Sequence, residues 1–309
     1  MEAVIKIIGL KKRYGELTAV DGINFDINRN EIFGLLGPNG AGKTTTISMI
    51  CGLLPVTEGE ITFTNCNGKD EKSMIGYCPQ ESIFYPKLTC LEQLLFIGQM
   101  YGIPSKTVKS RVIELLNLLG LSDKTHIRAS KLSGGMKRRL NICLALVHDP
   151  EILILDEPEA GLDPQSRILV RDFIKTYSNQ KTVILTTHNM DEAERLSDRV
   201  AIIDHGKLLL VDTPDNLKRT VGEGDILEFV FESYNENSVK AFSESIRLLN
   251  MSIKVNEDVV FIKHSNIIER LLEIKNLAEK NELKIAEIKL RENTLEDVFI
   301  HLTGRNLRQ

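Results

Sequence analysis

The spacing of apolar residues changes along the chain, and the changes mark out its parts. Residues 4–8 and 23–27 alternate or nearly alternate, the pattern of strands half-buried on a sheet, with Lys11-Lys12-Arg13-Tyr14-Gly15 expected as a turn between them. Residues 31–36 form a short buried strand, residues 59–64 another, and residues 74–78 a third that ends at Pro79-Gln80. From Thr89 the period becomes helical. Thr89 and Glu92 make a capping box, with Leu91, Leu94, Leu95 and Ile97 behind it, and a second helix is predicted over 105–119. Another helix follows Leu132-Ser133-Gly134-Gly135-Met136. Residues 151–155 then hold the unbroken apolar run Ile152-Leu153-Ile154-Leu155, as in a parallel strand buried on both faces, and lead into Asp156-Glu157-Pro158. A helix over 164–177, a strand over 182–185 and a hairpin about His205-Gly206 complete this part.

Strands alternating with helices predict an α/β fold, expected to span 1–217. Beyond it the pattern restarts over 218–309. Strands at 226–231, 253–255, 259–263 and 283–290 enclose helices at 238–249 and 266–280, with a tight turn at Asn256-Glu257-Asp258. That βαββαβ order predicts a small α+β domain of ferredoxin-like type, followed by a helix opened by Thr294. A length of 309 residues suits two unequal domains. The net charge of −4 gives no basic surface, so no nucleic-acid partner is expected. Cys51, Cys66, Cys78, Cys90 and Cys143 show no C-x-x-C spacing, which fits reduced thiols in a cytosolic compartment. The start carries no signal-peptide pattern, and no segment approaches the ~18 apolar residues of a membrane span. Work at a membrane would therefore fall to another polypeptide for the spanning part.

Candidate chemistry centres on Gly37-Pro38-Asn39-Gly40-Ala41-Gly42-Lys43-Thr44-Thr45, which satisfies G-x-x-x-x-G-K-[ST]. A strand before it and a helix after it place backbone N–H groups and a helix N-terminus around a phosphate chain. Lys43 adds a point charge, and Thr44 is suited to set its hydroxyl on Mg²⁺. Asp156 closes a buried strand, where open α/β sheets bind ligands, and suits Mg²⁺ held partly through water. Glu157 is then free to polarise a water for in-line attack on a terminal phosphate. His188 follows a later strand and is expected near the same phosphate. Tyr14 is a candidate platform for a base, and Gln80 ends a strand.

Leu132-Ser133-Gly134-Gly135-Met136, lying between the phosphate loop and Asp156-Glu157, resembles the signature motif of ATP-binding cassette (ABC) ATPases. With Tyr14, Gln80, Gly161-Leu162-Asp163 and His188 in order, the resemblance covers about the first 215 residues. It implies a cassette with a mixed sheet, an antiparallel β subdomain and an inserted helical subdomain. It also implies ATP and Mg²⁺ as cofactors. Tyr14 would stack on adenine, 37–45 would hold the phosphates, and Thr44, Gln80 and Asp156 would serve the metal. Glu157, His188 and Gln80 would carry hydrolysis, Asp163 a D-loop, and Ser133, Gly134 and Gly135 would close on the ATP of a second cassette. That second cassette is expected to be an identical chain.

The end of the chain, with Val211-Asp212-Thr213-Pro214 and 294–304, resembles ATPase subunits of drug-resistance and sodium-extrusion exporters. Their membrane-spanning permease is a separate chain, which implies a peripheral place on the cytoplasmic face of the membrane. Residues 82–102, with Phe84, Tyr85, Leu94, Leu95 and Phe96, are the expected docking stretch. Glu159 departs from the resemblance, since an uncharged residue is commoner there, and puts an extra carboxylate near the expected dimer seam. The alternative is a soluble ABC ATPase of DNA repair or translation. Against it, only about ninety residues separate the phosphate loop from the signature, too few for a long coiled coil, and one cassette is found, not two.

Overall fold

The computed structural model describes residues 2–64, 71–81, 83–221, 225–232, 235–256, 259–264 and 266–304. Cys66, Ser82, Glu257 and Asp258 lie outside the described residues. Two compact units emerge, Met1–Thr213 and Pro214–Gln309.

The first unit opens with β1 (Ala3–Tyr14) and β2 (Leu17–Asn28), followed by β3 (Ile32–Leu36), α1 (Lys43–Ile50), β4 (Glu58–Phe63) and β5 (Ile75–Cys78). Next come α2 (Cys90–Met100), α3 (Ser105–Leu118), α4 (Gly134–Leu146), β6 (Ile152–Asp156), α5 (Pro164–Ser178), β7 (Thr182–Thr187), α6 (Met190–Leu196), β8 (Arg199–Asp204) and β9 (Lys207–Asp212). An antiparallel sheet has the order β2-β1-β4, and a six-stranded sheet the order β5-β6-β7-β3-β8-β9, parallel except for β9.

The apolar run of β6 explains the layering. Ile152 and Ile154 join the core beneath the antiparallel sheet and α1, whereas Leu153 and Leu155 join the core beneath α2, α3, α4 and α5. Side chains alternate across a strand, so only a strand apolar at every position can serve two covered faces. The hairpin between β8 and β9 turns on His205 and Gly206, with φ 47° and 75°. Positive φ at both central residues matches the twist of the flanking strands.

The stretch expected as a turn at 11–15 is strand as far as Tyr14, and the turn falls at Gly15-Glu16. Lys12 is buried and donates from Nζ to the Pro55 carbonyl at 2.7 Å, while Lys11 pairs with Asp21 at 3.1 Å. A run of three cations reads as a loop, but lysine stems pack along a sheet while their amines find acceptors.

The second unit contains α7 (Pro214–Thr220), β10 (Asp225–Phe231), α8 (Glu236–Leu248), β11 (Ser252–Asn256), β12 (Val259–His264), α9 (Leu271–Lys280), β13 (Ile285–Arg291) and α10 (Leu295–Thr303). Its sheet, β11-β12-β10-β13, is antiparallel throughout, the ferredoxin-like arrangement. Leu227, Phe229 and Phe231 pack against Phe242 and Ile246 of α8 and Ile274 of α9. The helix expected over 266–280 starts only at Leu271, because 266–270 is a turn whose Ile267 fills the core.

Candidate nucleotide site

Parallel register brings the candidate residues to one edge. Leu36 lies opposite Thr187, and Asp156 opposite Thr186, so Gly37, Glu157 and His188 leave neighbouring strands at the same C-terminal edge. The Gly37–Thr45 loop fits against β8 and β2. A Cβ on Gly37 would lie 2.1 Å from the Ile203 carbonyl oxygen. Gly42 has φ 103°, and its Cβ would meet the Ala19 carbonyl oxygen at 2.5 Å. Both positions are closed to any side chain.

Lys43 opens α1 and folds back over the loop, donating from Nζ to the carbonyls of Gly37 (2.8 Å) and Pro38 (3.0 Å). It lies 3.8 Å from Glu157 Oε1. Burial holds its ammonium below the usual lysine range, an effect opposed by the Glu157 and Asp156 carboxylates. Thr44 donates from Oγ1 to Asp156 Oδ1 at 3.4 Å, and Thr186 donates to the same oxygen.

Glu157 has φ 52°, the left-handed region. Its N–H donates to the Thr186 carbonyl (3.1 Å) and hydroxyl (3.0 Å). Its carboxylate contacts His188 Nδ1 at 2.8–2.9 Å. Behind His188, the Thr187 hydroxyl donates to Glu192 Oε2 at 2.6 Å. Burial pushes the Glu192 carboxyl up to about 7, with help from the charges of Glu159 and Glu157.

Lys43, Thr44, Asp156, Glu157 and His188 thus form one connected group. Other expected residues stand apart from it. Gln80 is exposed, and its side chain shares no hydrogen bond with Thr44 or Asp156 among the described residues. Tyr14 is exposed at the β1–β2 hairpin, with Lys12 Nζ 5.1 Å from its ring centre. Ser133 caps α4, accepting from the Met136 N–H at 3.3 Å. Gly135 passes so close to α5 that a Cβ would lie 2.4 Å from Ser166 Oγ. Asp163 caps α5 through the Ser166 N–H at 2.9 Å. Among the described residues no hydrogen bond or ion pair joins Ser133, Gly134 or Gly135 to the phosphate loop.

Glu159, the extra carboxylate expected near the dimer seam, is buried and paired bidentately with Arg171 at 3.0 and 2.8 Å. Leu94 is likewise fully buried and leaves the expected docking stretch. Phe84 and Tyr85 line a groove of about 790 Å³ together with Leu53, Ile83, Met100 and Tyr101, whereas Leu95 and Phe96 do not line it. Two participants were missed in the sequence. Thr186 is one of two threonines after an apolar strand, and Glu192 one of several acids on a short helix. Only the apolar run before Thr186-Thr187 hinted at either of them.

The residues suit a nucleotide and its metal. The loop is shaped so that only glycine fits at 37 and 42, and Thr44 and Asp156 are hard oxygen donors of the kind Mg²⁺ takes. Among the described residues, no helix is long and apolar enough to cross a membrane.

The comparisons with known proteins agree with this geometry. The family described as ABC transporter matches residues 20–160. The linearmycin resistance ATP-binding protein LnrL of Bacillus subtilis (strain 168) is 40% identical over 307 residues, covering 97% of this chain and 98% of the relative. The Nod factor export ATP-binding protein I of Ralstonia nicotianae is 34% identical, covering 99% of this chain and 95% of the relative. A solved ATP-binding subunit of an ABC transporter superposes with a TM-score of 0.64 at 28% identity, over 71% of this chain and 93% of its own. The chain belongs to the ABC transporter family, as one of its ATP-binding ATPase subunits.

Proposed function

We propose that the chain powers export through a separate membrane-spanning permease, with two copies closing on two molecules of ATP. The observation that carries the proposal is the connected group Lys43, Thr44, Asp156, Glu157 and His188 at one sheet edge. Similarity along nearly the whole chain to proteins named for resistance and export supports the direction of transport.

The connected group supports the roles of its own members, and the resemblance to ABC ATPases supplies those of Tyr14, Gln80, Ser133, Gly134 and Gly135. The loop amides and Lys43 hold the phosphates, and Tyr14 stacks on the base. Thr44 and Asp156 would hold Mg²⁺, with Gln80 joining them, and the ion would neutralise charge on the phosphate oxygens. Glu157 orients a water and takes its proton, while His188 holds the Glu157 carboxylate in place. Ser133, Gly134 and Gly135, at the N-terminus of α4, receive the phosphates bound by the second copy, where unpaired N–H groups favour an anion. The apolar groove beside Tyr85 and Met100 receives the permease, which keeps the chain peripheral on the cytoplasmic face. The unit 214–309 is an accessory module.

Purification from membranes with its partner tests the proposal. The expected result is recovery with a spanning protein and ATP hydrolysis that disappears in Glu157→Gln. Recovery only with ribosomes or DNA, or full activity in that variant, overturns it.

A further inference from the structure

Glu157 carries a Cβ yet has φ 52°. The left-handed conformation costs roughly 1–2 kcal/mol for such a residue and persists where its surroundings over-determine it. On one side Thr186 holds the Glu157 N–H. On the other, the carbonyls of both flanking residues, Asp156 and Pro158, accept hydrogen bonds from the guanidinium of Arg138. The same guanidinium donates to the carbonyls of Pro79 and Gln80.

Arg138 is 4% exposed, one turn into α4. A buried cation costs several kcal/mol unless its hydrogens are met, and here four carbonyls meet them. Asn141, one turn further on, holds the far side of the same loop. Its Oδ1 accepts from the Ile83 N–H at 3.2 Å, and its Nδ2 faces Cys78 Sγ at 3.4 Å. Only a planar fork of several N–H donors serves two pairs of carbonyls on two separate segments at once, and a lysine ammonium does not.

We infer that Arg138 is a positioning residue that ties the Gln80 segment to Glu157, so that a shift in one re-aims the other. The inference rests on the proposed role of Glu157 and adds a residue whose guanidinium meets backbone carbonyls and not the side chains of the connected group. Arg138 acts through the backbone on either side of the base. It also lies on the helix that Ser133 caps, so the signature, the Gln80 segment and the base share one anchor.

The test compares Arg138→Lys and Arg138→Met with the unaltered full-length chain. Steady-state ATP hydrolysis, binding of a fluorescent ATP analogue and peptide-level hydrogen exchange are measured. Misplacing a catalytic group costs up to about 100-fold, so kcat is expected to fall 10- to 100-fold in both variants, with KM and nucleotide affinity changed less than about twofold. Lysine keeps the charge and loses the fork, so it is expected to rescue little. Hydrogen exchange is expected to quicken together in the peptides spanning Gln80 and Glu157, a readout independent of turnover. The inference is overturned by a kcat within twofold of the unaltered chain in either variant. Parallel loss of nucleotide affinity also overturns it, as does faster exchange at only one of the two peptides. If the unaltered chain hydrolyses no ATP, the proposed function fails, while the exchange result still decides the tie.

Discussion

The two units solve burial differently. The first puts charged groups inside: Glu31, Lys43, Arg138, Asp156, Glu157, Glu159 and Glu192 are all buried there. Among the described residues, the second unit's buried polar side chains are Ser243 and Asn293, over a core of stacked and edge-on phenylalanines. Buried charge needs partners, and the first unit supplies most of them from strand ends and helix starts that are far apart in sequence. The second unit has an apolar face and little else to satisfy. One architecture is strained for chemistry, and the other is packed for stability.

The sharpest break in that contrast is Glu157→Gln. It keeps shape and hydrogen bonding but removes the proton acceptor, so hydrolysis is expected to drop 10²- to 10⁴-fold with ATP still bound. Single-turnover and binding assays together check it.

Phe229→Ala probes the other side. Removing a fully buried aromatic costs about 3–5 kcal/mol. Limited proteolysis is expected to open 214–309 while nucleotide binding by the first unit survives. Loss of both would mean that the two cores are not independent.

Glu192 tests the cost of buried charge through pH. Its folded-state pKa of about 7 lies above the ordinary value of 4.5, so the folded chain binds the extra proton. The stability this contributes is full below about 4.5 and is lost as pH rises through about 7. Glu192→Gln is therefore expected to flatten the decline, gaining about 1–3 kcal/mol relative to the unaltered chain between pH 5 and pH 8. Urea unfolding at the two pH values measures it.

The smallest effects compare like with like. Thr89 and Thr294 each close a capping box, in the first and second units respectively. Either threonine replaced by alanine is expected to cost about 1 kcal/mol. Thermal unfolding followed by proteolysis should register each loss in its own unit.

The sequence by itself determined the strand and helix order, the phosphate loop and the acids at the end of β6. Those signals are local: a period of two or 3.6, a glycine where a backbone must pass close, a carboxylate at the end of an apolar run. The same locality hid where the chain needed distant partners. The basic run at 11–13 became strand because Pro55 and Asp21 supplied acceptors for its amines. Glu159, read in the sequence only as an extra carboxylate, is matched by Arg171 on the following helix. The left-handed backbone of Glu157, the raised carboxyl of Glu192 and the four carbonyls gathered by Arg138 have no one-dimensional signature. They depend on parallel register and on residues up to about sixty positions apart meeting at one sheet edge. Tertiary structure alone decides such contacts, because burial makes hydrogen-bond partners obligatory and the sequence does not say which groups will be buried together.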